Sequence, residues 1–173
     1  LHLASLSLEN CAVDQPETIP VLGGFVVAGG AVLNAGGQLI AEDVQIRNNS
    51  VHATNVVNRS VALGGGICSV GGTFALTGVS LVGNKAVASA NASSDGGSAF
   101  ARAGGGGMYS QDGTNASMEQ SNVTGNEAVA SANASGDGGS ASASASGGGM
   151  FSQGGTNASM EQSNVRGNAA GAH

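Results

Sequence analysis

The chain has 173 residues, enough for one domain of ordinary size, but with 31 glycines, no tryptophan and 3% aromatics its composition does not suit an ordinary globular core. A formal net charge of −6, with five cations scattered at Arg47, Arg59, Lys85, Arg102 and Arg166, excludes a nucleic-acid partner whose phosphates must be neutralised in a row. No apolar run nears the ~20 residues of a membrane-spanning helix, and disorder is disfavoured because 40% of residues are hydrophobic while only 9% are charged.

The chain begins at Leu1 without a visible signal peptide, so it reads as a processed form or a fragment. Near the start, NCAV at 10–13 reads as the tail of a first repeat copy, approximately 1–28. Cys11 and Cys68 lie far apart and lack metal-type spacing, which leaves one disulfide or two free thiols equally open. Pairing would need their Cβ atoms about 4 Å apart.

A second copy, 29–63, opens on GGAV, carries Leu39, Val44 and Ile46 at near-alternating positions, and closes on IRNN at 46–49. The third, 64–104, opens on GGGI, alternates Phe74, Leu76, Val79 and Leu81 with small or polar residues, and closes on LVGN at 81–84. The fourth, 105–146, and fifth, 147–173, both open on GGGM and contain GTNASMEQSNV unchanged, at 113–123 and 155–165, an offset of 42. Period-2 apolar patterns cut by Gly and Asn predict short strands, and no helical stripe exists anywhere. A closing asparagine recurs at Asn10, Asn49, Asn84, Asn126 and Asn168, with spacings of 39, 35, 42 and 42. A kept motif with a varying interval is the mark of a solenoid carrying loop insertions.

The chain is therefore expected to be all-β, a single parallel β-helix (solenoid) segment, 1–173, belonging to a longer chain. Equivalent residues then stack at about 4.8 Å, so that Ile67, Met108 and Met150 form an internal column and the five asparagines a structural ladder. Asn tolerates the left-handed conformation of a tight turn, and GGG turns without steric cost.

Between closing Asn and next GGG lie AVASANASSDGGSAFARA in the third copy and AVASANASGDGGSASASA in the fourth. Alanine at 86, 88, 90 and 92, then at 99, 101 and 103, alternates on both sides of a DGG centre. This pattern predicts inserted Ala/Ser-rich β-hairpin arms with a glycine turn. One face carries only methyls; the other carries Val87, Ser89, Asn91, Phe100 and Arg102. A lone hairpin is marginal in water, so the arm is expected to stack on its counterpart in the next copy.

The pairing of GGAV, GGGI and GGGM openings with IRNN, LVGN, VTGN and VRGN closures resembles the GGA[ILV] and FxxN repeats of chlamydial polymorphic outer-membrane proteins. The closures match loosely, because the family's Phe is Ile, Leu or Val here. The resemblance implies a right-handed parallel β-helix of the pectin-lyase-like, autotransporter-passenger kind, a fold that does not itself dictate function.

That fold hosts polysaccharide lyases and hydrolases, whose sites need clustered carboxylates. The acids here are spread out: Glu119 and Glu161 are repeat-equivalent, Asp95 and Asp137 fall in the DGG turns, and His2, His52 and His173 have no partner motif. No catalytic residue, metal ligand or cofactor is expected. Asn-x-Ser/Thr sequons at Asn48, Asn58, Asn91, Asn115, Asn122, Asn133 and Asn157 are possible N-glycosylation sites. The expected function is a non-enzymatic extracellular or cell-surface structural or adhesive repeat protein, with a glycosylated filament subunit as one form of it. Its expected partners are further copies stacked end to end, surface glycans or other extracellular proteins, with no nucleic acid and no membrane span. The alternatives are a glycan-binding module, for which Phe100, Tyr109 and Phe151 would be the aromatics, and a polysaccharide-active enzyme.

Overall fold

The computed structural model describes residues 1–13, 17–19, 24–55, 59–93, 95–112, 115–135, 137–154 and 157–173. Among the described residues all regular structure is β, and no helix is long and apolar enough to cross a membrane. The strands fall into five sheets, which we letter A to E in the order the chain visits them within a copy.

Sheet A holds Val32–Ala35, Ile67–Val70, Met108–Gln111 and Met150–Gln153. Sheet B holds His2–Ala4, Gln38–Glu42, Thr73–Thr77, Asn115–Glu119 and Asn157–Glu161. Sheet C holds Ser7–Glu9, Gln45–Arg47, Ser80–Val82, Asn122–Thr124 and Asn164–Arg166. Sheet D holds Ala12–Val13, Ser50–Asn55, Lys85–Ala92, Glu127–Ala134 and Ala169–Ala172. Sheet E holds Gly24–Ala28, Arg59–Leu63, Ser98–Gly104 and Ser140–Ser146, with Glu17–Ile19 antiparallel on its first edge.

Apart from that edge, every pairing is parallel and joins equivalent strands of neighbouring copies: Val32, Ile67, Met108 and Met150 are consecutive partners in sheet A. One copy thus supplies one rung, an arrangement compatible with a parallel β-helix. Alternation along each strand sends one set of side chains inward. Sheets A, B and C enclose a core of Val32, Leu39, Ile46, Ile67, Leu76 and Met108, with Phe74, Val79, Leu81 and Val123 around them.

Corners between the sheets need left-handed backbone. Ser5, Asp43, Gly78, Gln120 and Gln162 share the B–C corner, and Asn10, Asn48, Gly83, Gly125 and Gly167 the C–D corner, all with φ between 48° and 65°. Glycine, Asn and Asp visit this region most readily, which explains the whole C–D column but only Asp43 and Gly78 of the B–C column.

The expected hairpin arms are not formed. Lys85–Ala92 bonds in parallel to Ser50–Asn55 and Glu127–Ala134, whereas Ser98–Gly104 bonds in parallel to Arg59–Leu63 and Ser140–Ser146. The two limbs of an arm therefore lie in different sheets, D and E. Their backbone groups are satisfied by the rungs on either side, so the limbs meet through side chains alone. Those side chains are the alanines: Ala86, Ala88, Ala90, Ala99, Ala101 and Ala103 are at most 2% exposed and form one cluster with Val27, Val51 and Ala62. Methyl faces let two sheets pack as a thin slab projecting from the core. On the far side of sheet E, Val61 and Leu63 pack against Cys68, Val70 and Tyr109 of sheet A and anchor the root of the slab.

The slab predicts a position-dependent response to one substitution. Ala99 is 2% exposed and Ala141, its partner in the last sheet E strand, is exposed. Ala99→Leu is expected to cost about 1–3 kcal/mol by overpacking, read as a lower urea-unfolding midpoint, while Ala141→Leu leaves the midpoint within error.

Candidate functional site

The interior carries one continuous polar feature, a column of asparagines where sheet C turns into sheet D. Asn49, Asn84 and Asn126 are at most 1% exposed. The Asn84 side-chain NH2 donates to the Ile46 carbonyl at 2.9 Å and to Asn126 Oδ1 at 2.9 Å, and the Asn84 backbone N–H donates to the same oxygen at 2.9 Å. Asn49 repeats this set on Leu8 and Asn84, and Asn126 repeats it on Leu81 and Asn168. Each of these amides thus donates twice through its side chain, and the oxygens of Asn84 and Asn126 each take two donors. A buried primary amide with its donors and acceptor all met escapes the desolvation penalty of an orphan.

The openings and closings of the repeat meet here. A Cβ placed on Gly66 would lie 3.2 Å from Asn84 Cγ and 2.7 Å from the Gly107 carbonyl oxygen. One placed on Gly65 would lie 2.4 Å from the Lys85 carbonyl. The GGG of a copy therefore runs against the Asn of the same copy across the interior, with no room for a side chain at its second and third positions.

Asn10 is not part of the ladder. Glu9 pairs with Arg47 and Ala12 with Ser50, which places Asn10 beside Asn48 and Cys11 beside Asn49. It is the Cys11 backbone N–H that donates to Asn49 Oδ1, at 2.9 Å. Asn10 instead occupies the left-handed corner with Asn48, at φ 57° and 54°. Turning and stacking, expected of one residue, are divided between two neighbours. A second internal polar contact escaped notice in the sequence: buried Asn34 donates to Ser69 Oγ at 3.0 Å and to the Gly37 carbonyl at 3.1 Å.

The disulfide alternative is corrected as well. Both thiols are free, with Cys11 at the ladder position and Cys68 in sheet A, facing the slab. Burial pushes the Cys68 thiol up to about 12. Since its folded value lies above its unfolded value of 9.0, its contribution to stability is complete below pH 9.0 and is lost as pH rises towards 12.

The sequons divide by environment. Asn48, Asn91, Asn115 and Asn133 are exposed, and Asn91 and Asn133 are register partners on the outer face of sheet D. Asn122 is half-buried, its Oδ1 taken by the Thr124 hydroxyl of its own sequon at 2.7 Å. Asn58 and the Asn157 side chain lie outside the described residues.

The aromatics do not form an open platform. Tyr109 is 1% exposed and stacks on Phe151 with ring centroids 5.5 Å apart. The Arg102 guanidinium lies 5.8 Å from the Phe151 centroid and donates to Gln153 Oε1 at 2.6 Å, tying the third copy's sheet E strand to the fifth copy's sheet A strand. Arg59 covers Phe100 in the same way at 5.6 Å. Burial raises the Tyr109 phenol, against a smaller lowering by Arg102. The column Cys68–Tyr109–Phe151, one residue after each column hydrophobe, was the signal for this corner.

Glu119, Glu161, Asp95 and Asp137 are exposed, as are His2, His52 and His173. Acids meet cations as surface pairs, Glu9 with Arg47 at 3.3 Å and Glu127 with Lys85 at 2.8 Å. His2 lies 3.7 Å from Glu42. Among the described residues no three His, Cys, Asp or Glu side chains come together as a metal site would require. Compared with known proteins, the chain matches no family model, no curated protein and no solved structure.

Two outcomes follow. Asn84→Ala removes the acceptor of two buried donors on Asn49 and is expected to cost about 2–6 kcal/mol, at roughly 1–3 per orphaned group. Asn49→Ala, whose side-chain oxygen accepts only the Cys11 backbone N–H, costs clearly less; equilibrium denaturation compares them. A thiol reagent near neutral pH is expected to modify Cys11 alone in the folded chain and both cysteines in denaturant, counted by intact mass.

Proposed function

We propose that this chain is a right-handed parallel β-helix serving as a non-enzymatic structural and adhesive element outside the cell or on its surface, with glycans at its exposed sequons. The observation that carries the proposal is that chemistry is distributed along the stack and not gathered at one place. The buried amides recur rung by rung at intervals of 35 and 42 residues. On the outside, Val87, Ser89 and Asn91 are register partners of Val129, Ser131 and Asn133. A stack of this kind sets length and repeats one surface, which suits a spacer or a multivalent contact for glycans or other extracellular proteins. The right hand follows from the strong general preference of parallel crossovers, roughly 98% right-handed. The chlamydial-like pairing of Gly-rich openings and Asn closures points to the same architecture, since those two motifs touch across the interior.

Display is the test. Secreted by a eukaryotic host and immobilised on beads, the folded chain is expected to raise bead attachment to cells or glycan-coated surfaces well above a denatured control, and its intact mass to fall on deglycosidase treatment. Turnover of pectin or a related glycan by the purified chain sinks the proposal. An unshifted mass removes the glycans from it.

A further inference from the structure

The third and fourth copies enter sheet E with nearly the same strand, SAFARA at 98–103 and SASASA at 140–145. The alanines that fill the slab are kept, and both changes fall on the outer face, where Phe100 and Arg102 are register partners of Ser142 and Ser144. Sheet E therefore accepts serine at both places, and the methyl packing of the slab does not demand the bulky pair. Arg59 joins them on that face, since it is the register partner of Phe100, with Arg102 one strand on and two residues along. The Cα atoms of the two arginines are then about 8 Å apart, the diagonal of one strand spacing and two residues of rise.

Each guanidinium is held on a ring, Arg59 at 5.6 Å from the Phe100 centroid and Arg102 at 5.8 Å from that of Phe151. Arg102 also donates to Gln153 Oε1 at 2.6 Å. Stacking uses the flat face of a guanidinium and leaves its in-plane donors, the fork that matches a carboxylate, for another partner. Arg47 and Lys85 are matched by Glu9 and Glu127, but neither Arg59 nor Arg102 meets a carboxylate among the described residues. The described acids lie in sheets B, C and D, at their corners or in the DGG turns; only Glu17 belongs to sheet E, three strands from Arg102. In a chain of net charge −6 this face is a local positive site.

We propose that the outer face of sheet E binds a carboxylate-bearing extracellular glycan. The forks of Arg59 and Arg102 each take one carboxylate, and the exposed Ser142 and Ser144 hydroxyls meet sugar hydroxyls. This rests on the extracellular adhesive reading above and names its partner. Phe100, Phe151 and Gln153 are positioning residues that hold the two forks. The strand Ser98–Gly104 is hydrogen-bonded along both edges, to Arg59–Leu63 and to Ser140–Ser146, so it offers no free edge to a peptide strand. What it offers is side chains at regular heights, which suits an extended polymer whose acidic groups repeat along its length. Asn91 and Asn133 stand on the outer face of sheet D, across the slab, so glycans attached there leave this face open.

Surface plasmon resonance of the folded 173-residue chain over immobilised hyaluronan, which carries carboxylates and no sulfate, tests this, with far-UV circular dichroism and thermal melting read on every variant. Binding is expected at low salt and should weaken as ionic strength rises. Carboxyl-reduced hyaluronan lacks the charge and polyglutamate lacks the sugar, so each should bind about tenfold more weakly. Phe100→Ser combined with Arg102→Ser, which gives the third copy the fourth copy's residues here, should keep the β spectrum and weaken binding about tenfold. Arg59→Lys keeps the charge, loses the fork and should weaken binding several-fold. If the double variant loses its β spectrum, Arg59→Lys, at an exposed position, still decides. The site is overturned if a chain with an intact β spectrum ignores hyaluronan, or if polyglutamate or anionic lipid vesicles bind as tightly. Unchanged affinity in either folded variant overturns it too. Bead attachment to cells that persists without hyaluronan binding leaves the adhesive reading standing and removes only this site.

Discussion

Everything in this molecule depends on keeping consecutive copies in parallel register. The backbone bonds run along the stack, from each strand to its equivalents on either side, and so do the amide bonds of Asn49, Asn84, Asn126 and Asn168. A buried amide at these positions is stable only if the next one arrives at hydrogen-bonding height, about one strand spacing away. The ladder thereby converts a local preference for turning into a constraint between copies. The glycines follow from it, since Gly65 and Gly66 lie where the chain passes against the ladder and the strand beyond it.

The same axial bonding accounts for a core built from two different materials. Where sheets A, B and C surround the core, the filling is mainly Leu, Ile, Val, Phe and Met. Where only two sheets face each other, it is nearly all alanine. Each alanine removes little apolar surface from water, at roughly 25 cal/mol per Å², so the slab relies on numbers and close fit. Its outer root is held by larger groups, Val61 and Leu63 against Cys68, Val70 and Tyr109, with Arg102 reaching across to Gln153.

Much of this was legible in the residues. Alternation alone sent Phe74, Leu76, Val79 and Leu81 inward, and the 42-residue offset paired Met108 with Met150. Other features were not legible, each for a physical reason. Alternating alanines around a DGG turn look alike whether the limbs bond to each other or to the rungs above and below, because local sequence does not encode the direction of the hydrogen bonds. Asparagine, in turn, suits both the left-handed corner and the amide stack. Asn48 and Asn49 occupy the two places side by side, so the Asn of NCAV at 10–13 suits either by residue type, and the register alone assigns Asn10 to the corner. The Tyr109–Phe151 corner was visible only as a column, which needs the register before it means anything.

The verbatim return of GTNASMEQSNV carries a cost during folding. When two rungs share such a block, a chain that pairs one of them a full repeat out of place loses almost nothing there, since each column within the block finds a chemically identical neighbour. Such near-degenerate arrangements are where folding slows and misassembly begins. Relief must come from the copies that differ. Phe74 and Leu76 beside Leu39 and Ala41, and the shorter 35-residue interval between Asn49 and Asn84, fit only one way. The irregular half of the stack is therefore what gives the regular half an unambiguous place to start.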